Sequence, residues 1–286
     1  MPLSQKNLSP LGITAKKQLG QNFLQGACIP SQIVEKSGVT KTDIVLEIGP
    51  GLGALTFPLA KIAQKVIAIE KDPDVAAILE EKLRKEKIQN TNLLVGDILQ
   101  TDFADIANEE KTQLFVFGNL PYHISSPVLG LLTKNASHLK KAVLMFQKEL
   151  ADRIIASPGK KTYSRISVLC QFYGRVESLL FVDATHFYPR PKVNSEVISI
   201  SFYNPNPHLR TNETLFFKIV QAAFGQRRKN LKNAFLGSSL NFSLPEITNV
   251  FQLAKIDSSR RAETLSIDEF ISLTDAFQKL SFTAFK

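Results

Sequence analysis

The sequence predicts an α/β domain followed by a small all-helical domain. Between residues 43 and 203, short apolar runs alternate with amphipathic stretches, a pattern typical of parallel strands connected by helices. At Tyr203–Pro207 the composition changes to Asn and Pro, and the sequence beyond it contains helical patterns but no convincing strand. We therefore expect a first domain over residues 1–204 and a second over residues 205–286.

Short apolar runs in the first domain are the expected strands. The first five are separated by helical patterns such as Leu55–Ile62 and Asp74–Lys85, which favours a parallel sheet. The last two have no comparable helix between them and are expected to close the sheet as an antiparallel hairpin. The runs are Ile44–Ile48, Val66–Ile69, Leu93–Val95, Leu114–Phe117, Ala142–Phe146, Val176–Val182 and Glu196–Phe202.

The second domain is predicted from helical patterns at Thr214–Phe224 and Ser266–Leu280. Ser266 is followed three residues later by Glu269, and an apolar run comes next, which is the arrangement of a capping box. We expect a helix to begin there.

Composition indicates a soluble protein with an anionic partner. Of the 286 residues 44% are hydrophobic and 21% charged, and the net charge is +9. Residues 205–286 contain 11 Lys and Arg against 7 Asp and Glu, so the excess is expected in both domains. No apolar run is long enough for a membrane span, the two cysteines have no framework spacing, and the four histidines suggest no metal site. These features predict a cytoplasmic location.

A glycine turn follows the first strand and predicts a nucleotide-type site. Gly49, Gly51 and Ala54 satisfy a dinucleotide fingerprint, so this turn alone leaves NAD, S-adenosylmethionine and a structural turn open. Glu70 ends the second strand, where a carboxylate can accept hydrogen bonds from ribose hydroxyls. Asp97 ends the third strand and can accept from an adenine amino group, with the neighbouring backbone N–H donating to the ring. Asp97 favours S-adenosylmethionine, although such a residue also suits an ordinary turn.

The segment Phe117–His123 follows the fourth strand and can hold an amine. The side-chain oxygen of Asn119 and a backbone carbonyl can accept both hydrogens of an NH2 group, and Tyr122 offers a flat face for an extruded base. A strand followed by a turn is the alternative, since Asn and Pro are common turn residues.

Taken together, these motifs resemble the ribosomal RNA adenine N6-dimethyltransferase family, most closely its small-subunit branch. The resemblance spans nearly the whole chain and departs from the branch at His123, where a second Asn is more usual. The motifs that carry it are Gln21-Asn22-Phe23-Leu24, Glu47 through Gly53, Glu70, Gly96-Asp97, Asn119-Leu120-Pro121-Tyr122, Phe187 through Val193 and Arg260 through Leu265.

This resemblance implies a Rossmann-like class I methyltransferase sheet that binds S-adenosylmethionine, with a small all-helical C-terminal domain. It also implies that an N-terminal segment folds over the cofactor. The expected cofactor-binding residues, including those of the glycine turn, are Asn22, Leu24, Gly49, Gly51, Glu70, Asp97, Ile98 and Asn119.

The implied activity is dimethylation of N6 on two adjacent adenosines near the 3′ end of 16S rRNA, in the small ribosomal subunit. The expected catalytic residues are Asn119, Leu120, Pro121 and Tyr122. The sequence also contains a basic run between Arg227 and Lys232. Such a run is usually only a solvated surface, but here the resemblance favours contact with RNA. The expected RNA-binding residues are Arg190, Lys192, Arg227, Arg228, Lys229 and Lys232. We expect a monomer without membrane association.

Other functions remain open at this stage. The large-subunit branch of the same family, which confers antibiotic resistance, is the closest alternative. The small-subunit branch is favoured by three features: the Asn119-Leu120 start of the Asn119–Tyr122 motif, the Phe187–Val193 loop and the tail formed by residues 205–286. A non-catalytic assembly or transcription factor is disfavoured because Asn119 and Tyr122 are intact. An NAD-dependent oxidoreductase ranks last, since no residues for hydride transfer accompany the glycine turn.

Overall fold

The protein was analysed as a computed structural model, which describes residues 15–16, 19–121, 124–208, 210–226 and 228–283, with side chains up to residue 280. All the runs expected to be strands are strands. The strands are β1 (Phe23–Leu24), β2 (Ile44–Ile48), β3 (Lys65–Glu70), β4 (Thr91–Val95), β5 (Leu114–Asn119), β6 (Leu139–Gln147), β7 (Gly174–Val182), β8 (Phe187–Tyr188) and β9 (Ser195–Phe202).

Helices connect and follow these strands, as the alternating pattern predicts. They are α1 (Cys28–Ser37), α2 (Thr56–Ala60), α3 (Pro73–Lys85), α4 (Phe103–Glu110), α5 (Ser125–Lys134), α6 (Lys148–Ile154), α7 (Arg165–Tyr173), α8 (Glu213–Gly225), α9 (Leu231–Leu236), α10 (Leu244–Ala254) and α11 (Ile267–Thr283). Short 3-10 turns occupy Ile98–Gln100, Ala136–His138, Ala184–His186 and Ala262–Thr264.

The described residues form a seven-stranded sheet in the order β4-β3-β2-β5-β6-β9-β7. Strand β2 pairs in parallel with β3 and β5, and β5 pairs in parallel with β6. Strand β9 is antiparallel to β6 and neighbours β7, so the last two predicted strands do close the sheet at one edge. The α/β fold class is thereby confirmed. A separate two-stranded sheet joins β1 to β8 in antiparallel register.

Apolar packing explains why the central strands read as continuous hydrophobic runs. Every residue of β2 is buried, and Val45 and Leu46 are fully inaccessible to solvent. Val45 belongs to a core cluster with Ile33 of α1 and Phe117 of β5. Strands covered by helices on both faces have no polar side, so they lose the alternation seen in exposed sheets.

Local signals set the start of helix α3, which lies beside the later site. Asp72 caps the helix by accepting a hydrogen bond from the backbone N–H of Asp74, and Pro73 occupies the first turn. Basic residues in the last turn complement the negative end of the helix dipole. The residues before α3 are thus held in a defined geometry at the end of β3.

The chain forms two compact units. The first comprises residues 1–151 and 175–204, and the second comprises residues 152–174 and 205–286. The division at 204/205 coincides with the predicted boundary, but residues 152–174 group with the helical unit and not with the 1–204 domain. Aromatic packing is the reason, since Phe172 of α7 lies 4.4 Å from Phe216 and 5.5 Å from Phe217 of α8, centroid to centroid.

The regrouped segment also changes how charge is distributed. The second unit carries 15 Lys and Arg against 8 Asp and Glu, a net of +7, which leaves +2 for the first. Both units are therefore positive, as expected, but the shares of the charge are unequal. Most of the excess lies in the helical unit.

The predicted capping box at the start of α11 is confirmed. The backbone N–H of Ser266 donates to Glu269 Oε2 at 2.8 Å, and the Glu269 N–H donates to Ser266 Oγ at 3.2 Å. Arg260 forms an ion pair with Glu269 and donates to the Thr264 carbonyl at 2.7 Å. The first residue of the Arg260–Leu265 motif therefore stabilises the entry to α11.

We predict that Ser266→Ala lowers the free energy of unfolding by about 1 kcal/mol, because it leaves a backbone N–H of the first helical turn without its side-chain acceptor. Urea unfolding followed by circular dichroism would measure the loss. Ser272→Ala is the matched control, since Ser272 is exposed within the same helix and only donates to the Asp268 carbonyl. Equal losses in the two variants would contradict the capping role.

Candidate active site

A cavity opens at the carboxyl ends of the parallel strands in the first unit. Its walls come from the residues that follow β2, β3, β4 and β5, together with the chain at β1 and β8. Ligands of open α/β sheets bind at this edge, because the loops diverge there. The residues predicted for the cofactor and the amine that line it are Asn22, Leu24, Gly49, Gly51, Glu70, Asp97, Ile98, Asn119, Leu120 and Pro121.

Two glycines of the turn after β2 have left-handed backbone, and at Gly53 close packing also leaves no room for a side chain. Gly53 has φ +91°, and a Cβ there would lie 2.5 Å from a ring carbon of Phe57 and 2.7 Å from Leu79. Gly51 has φ +57°, and its Cβ would touch the Phe23 ring at 3.4 Å. These positions favour Gly because left-handed backbone disfavours side chains. The backbone of the turn consequently faces the cavity without side chains in front of it.

Glu70 is a buried carboxylate at the end of β3. Its Oε2 accepts from the Gly51 N–H at 3.0 Å and its Oε1 from the Asp72 N–H at 2.9 Å. Burial raises the pKa of this carboxyl, while these backbone donors oppose the rise. Each oxygen keeps a further lone pair for a ligand hydroxyl. Glu70 is thus held in position by the glycine turn.

Asp97 follows β4 and is oriented from two sides. Its Oδ1 accepts from the Leu99 N–H at 3.0 Å, and its Oδ2 forms an ion pair with Lys71 Nζ at 2.7 Å. The Lys71 ammonium lowers the pKa of Asp97, so the group is ionised near neutral pH. Lys71 also lines the cavity. The sequence motifs did not single it out, although its place directly after Glu70 was a usable signal.

The N-terminal segment crosses the cavity and is fixed at both ends. On one side, Lys16 Nζ and Gln21 Nε2 bond the buried Asp72 carboxylate at 2.7 and 2.8 Å. On the other, β1 pairs with β8 in the register Phe23 to Tyr188, which brings Phe187 into the cavity wall. Phe187 belonged to a recognised motif but was not assigned to the site, because only strand pairing places it there.

Asn119 ends β5 and is anchored through its amide nitrogen. Its Nδ2 donates to the Asn22 carbonyl at 3.1 Å, a contact between residues 97 positions apart in the chain. Because the nitrogen is engaged, Oδ1 is the atom left to accept a hydrogen bond from a ligand. Leu120 and Pro121 follow in the cavity wall. Tyr122 and His123 lie outside the described residues.

Glu47 is a further cavity residue that the sequence reasoning did not assign. It is only 1% exposed, and its Oε2 has no hydrogen-bond partner within the part of the chain that the structure describes. Burial, reinforced by the nearby Glu70 carboxylate, raises the pKa of Glu47 to about 8. An acidic residue inside an otherwise apolar strand was the signal available in the sequence.

The predicted RNA-binding residues are distributed over both units. Arg190 and Lys192 are exposed in the loop that follows β8 of the first unit. In the second unit Arg228 and Lys229 are exposed and Lys232 is half-buried, while Arg227 lies outside the described residues.

The described residues contain neither a membrane-spanning helix nor a cluster of metal ligands. No helix there is both long enough and apolar enough to cross a bilayer. No group of three or more His, Cys, Asp or Glu side chains in the described ranges is placed to hold a metal ion.

Comparison with known proteins supports the family suggested by the motifs. Residues 12–279 match the family described as ribosomal RNA adenine dimethylase. The chain belongs to this family. The predicted family is thereby confirmed, and the match covers both compact units.

Individual relatives agree with this family assignment. Ribosomal RNA small subunit methyltransferase A of Desulforapulum autotrophicum is 45% identical over 264 residues, covering 92% of each chain. A dimethyladenosine transferase from Plasmodium falciparum has a similar structure, with a TM-score of 0.80 and 27% identity over 91% of this chain and 98% of that one. The 23S rRNA methyltransferase ErmE has a TM-score of 0.70 at 23% identity over 90% of this chain and 99% of its own, and so shares the fold.

The cavity fits S-adenosylmethionine better than a dinucleotide. The ammonium and sulfonium of S-adenosylmethionine are cationic, and a cation beside the buried Glu47 carboxyl would favour the ionised form that burial disfavours. The pyrophosphate of NAD would instead oppose ionisation of Glu47 and Glu70 further. Glu70 and Asp97 line the same cavity and carry acceptor oxygens, which suit the adenosine part of either cofactor. The match to the adenine dimethylase family is what resolves the ambiguity of the glycine turn in favour of S-adenosylmethionine.

The free energy of unfolding of the wild type should fall as the pH rises from 5.5 to 8. We predict that Glu47→Gln makes this fall smaller. Folded Glu47 has a pKa of about 8 against an ordinary 4.5, so between these values the folded state holds a proton that the unfolded state lacks. The stabilisation is complete below the ordinary pKa and is lost as pH rises through about 8, by up to a few kcal/mol.

Urea unfolding of the cofactor-free protein at pH 5.5 and pH 8 would measure this difference. The exposed Glu35→Gln is the control and should follow the wild type. A pH dependence of Glu47→Gln identical to that of the wild type would refute the assignment.

Proposed function

We propose that this protein uses S-adenosylmethionine to dimethylate N6 of two adjacent adenosines near the 3′ end of 16S rRNA, during biogenesis of the small ribosomal subunit. The observation that carries the proposal is the anchored Asn119 amide, which lies in one cavity with Glu70 and Asp97. An amide acceptor at this point suits an exocyclic amine, and the neighbouring carboxylates suit an adenosine-containing donor.

Residues around the cavity would bind and orient the cofactor. Glu70 accepts from the ribose hydroxyls, Asp97 accepts from the adenine amine, and the Ile98 N–H donates to the adenine ring. The backbone at Gly49 and Gly51 approaches the remainder of the cofactor, and the segment containing Asn22 and Leu24 covers it. When bound, S-adenosylmethionine supplies a methyl group already activated by its sulfonium.

Asn119 and Leu120 would orient the adenine amine. Because the N6 lone pair is delocalised into the ring, the nitrogen needs help to become nucleophilic. Asn119 Oδ1 and the Leu120 carbonyl accept the two N6 hydrogens, favour tetrahedral geometry and direct the lone pair at the methyl group. The Asn22 carbonyl supports this geometry by holding the Asn119 nitrogen at 3.1 Å.

The chemistry requires no strong general base. The methylated ammonium is acidic and loses its proton after transfer, so a neutral amide at position 119 is sufficient. For the second methylation, the monomethylated amine rotates and presents its remaining hydrogen. Pro121 shapes the wall beside this amine, and Tyr122 stacks on the flipped adenine, a role that rests on the sequence motif.

Basic residues would contact the phosphates around the target. Arg190 and Lys192 follow β8, whose Phe187 belongs to the cavity wall. This nearness in the chain supports the proposal that they bind RNA next to the flipped base. In the helical unit, the run from Arg227 to Lys232 contributes further positive charge. We expect binding to ribosomal particles to weaken as salt increases.

The small-subunit target is favoured by the relatives. The full-length relative at 45% identity is named for the small subunit, whereas similarity to ErmE at 23% concerns the fold alone. We further propose that the protein acts as a monomer in the cytoplasm. The two cysteines are free, Cys28 exposed and Cys170 buried, as suits a reducing compartment.

The decisive experiment compares both ribosomal subunits as substrates. Purified protein is incubated with radiolabelled S-adenosylmethionine and separated subunits from cells lacking this activity, and dimethyladenosine is then mapped. We expect label on adjacent adenosines of 16S rRNA. Label only in large-subunit RNA would show that the resistance branch is correct, and no label in either would support a non-catalytic factor.

We predict that Asn119→Ala slows single-turnover methyl transfer by about 10²–10³-fold, equivalent to ~2.7–4 kcal/mol of lost transition-state stabilisation. Binding of S-adenosylhomocysteine should remain measurable by calorimetry, since Glu70 and Asp97 are intact. Asn135→Ala is the control, because the Asn135 side chain donates to the Leu131 carbonyl of α5 and does not line the cavity. An unchanged transfer rate in Asn119→Ala would exclude the proposed role.

We predict that Tyr122→Ala weakens engagement of the target base, whereas Tyr122→Phe retains activity, because stacking needs the ring and not the hydroxyl. Single-turnover rates at varied RNA concentration would separate the two variants. If Tyr122→Phe were as impaired as Tyr122→Ala, the phenol and not the ring face would be the functional group.

A further inference from the structure

A cleft in the helical unit is formed by segments that are far apart in the chain. Arg165 begins α7, Lys218 and Gln221 lie on α8, and Gln226 directly follows α8. The turn after α9 completes the cleft with Gly237, Ser238, Ser239 and Leu240. Arg165 belongs to the segment 152–174, so the cleft exists only because this segment packs with the helical unit.

The polar side chains lining the cleft are rich in hydrogen-bond donors. Arg165 and Lys218 are exposed, and among the described residues neither forms an ion pair or a side-chain hydrogen bond. Gln221 and Gln226 add amide donors and Ser239 adds a hydroxyl, whereas the Ser238 hydroxyl already donates to the Phe235 carbonyl at 2.7 Å. No Asp or Glu from the described ranges lines the cleft. The cleft is therefore suited to an anion.

The position of Gln226 depends on a glycine across the cleft. A Cβ on Gly237 would lie 2.4 Å from Gln226 Nε2, well inside van der Waals contact. Because Nε2 is the end of a flexible side chain, the Gln226 amide would have to move if position 237 carried a Cβ. Gly237→Ala would displace a neutral donor without altering the charge of the cleft.

We infer that this cleft binds the sugar–phosphate backbone of the RNA substrate, an inference that rests on the proposed function. Charged donors match phosphate oxygens, while neutral amides and hydroxyls match phosphate and 2′-hydroxyl groups. The donors come from separate segments along an open cleft, which fits an extended backbone better than one small anion. Arg228 and Lys229 continue the positive surface just beyond Gln226, and this unit carries a net charge of +7.

The salt dependence of RNA binding tests the inference. A cation that contacts a phosphate releases about one counterion, so affinity falls as salt rises. Removing one such cation makes the negative slope of log affinity against log salt shallower by ~0.7–0.9. For Arg165→Gln/Lys218→Gln with a naked 16S rRNA fragment, we expect a slope shallower by ~1.4–1.8. We expect at least a tenfold loss of affinity at low salt.

Control variants distinguish the loss of contacts in the cleft from a general loss of positive charge. Lys36→Gln/Lys85→Gln removes the same charge from exposed sites on α1 and α3, and should leave the slope near the wild-type value. Gly237→Ala should weaken binding several-fold without changing the slope, because Gln226 is neutral. Both cleft cations are exposed, and unchanged urea unfolding followed by circular dichroism would show that the double variant is intact.

The outcomes are distinct. An unchanged slope in the cleft variant, or an equal change in the control, would overturn the inference. Weaker binding of the intact particle with unchanged binding of naked RNA would identify a ribosomal protein as the partner and also overturn it. The proposed function fails separately, if the wild type transfers no methyl group to RNA.

Discussion

The parallel pairing of β2 with β3 and β5 is the constraint on which the site depends. Parallel strands place their carboxyl ends at one edge, so the residues that follow β2, β3 and β5 converge although they are far apart in sequence. The glycine turn, Glu70 and Asn119 meet there. The buried apolar runs that stabilise the sheet therefore also set the geometry of the site.

The acidic groups of the cavity are held in different ways. Glu70 accepts hydrogen bonds from two backbone N–H groups, whereas Glu47 is buried and its Oε2 has no partner within the described part of the chain. An unpaired buried carboxyl is costly, and such costs concentrate at functional sites. Asp97, in contrast, is ionised and oriented by Lys71. Neighbouring carboxyl groups thus differ in protonation because their surroundings differ.

The helical unit contributes a different kind of recognition. Its stability comes from aromatic packing around Phe172 and Phe216 and from the capped entry to α11. Its surface carries most of the net positive charge. A basic surface supplies affinity for a phosphate backbone, while a cavity with directed acceptors supplies specificity for one amine. The two units would thus divide binding from chemistry.

Periodicity and local signals were enough to predict the α/β class, the strand runs and the capping box, because these features depend on local sequence. Motifs and the family resemblance together predicted ten of the cavity residues, and Asn22 and Leu24 rested on the resemblance alone. Tertiary structure decided the rest. Phe187 enters the cavity only through the pairing of β8 with β1, and Lys71 matters only because Asp97 lies on the neighbouring strand. Residues 152–174 join the helical unit because aromatic contacts between distant segments outweigh chain order. No local pattern encodes such contacts, which exist only after the chain has folded.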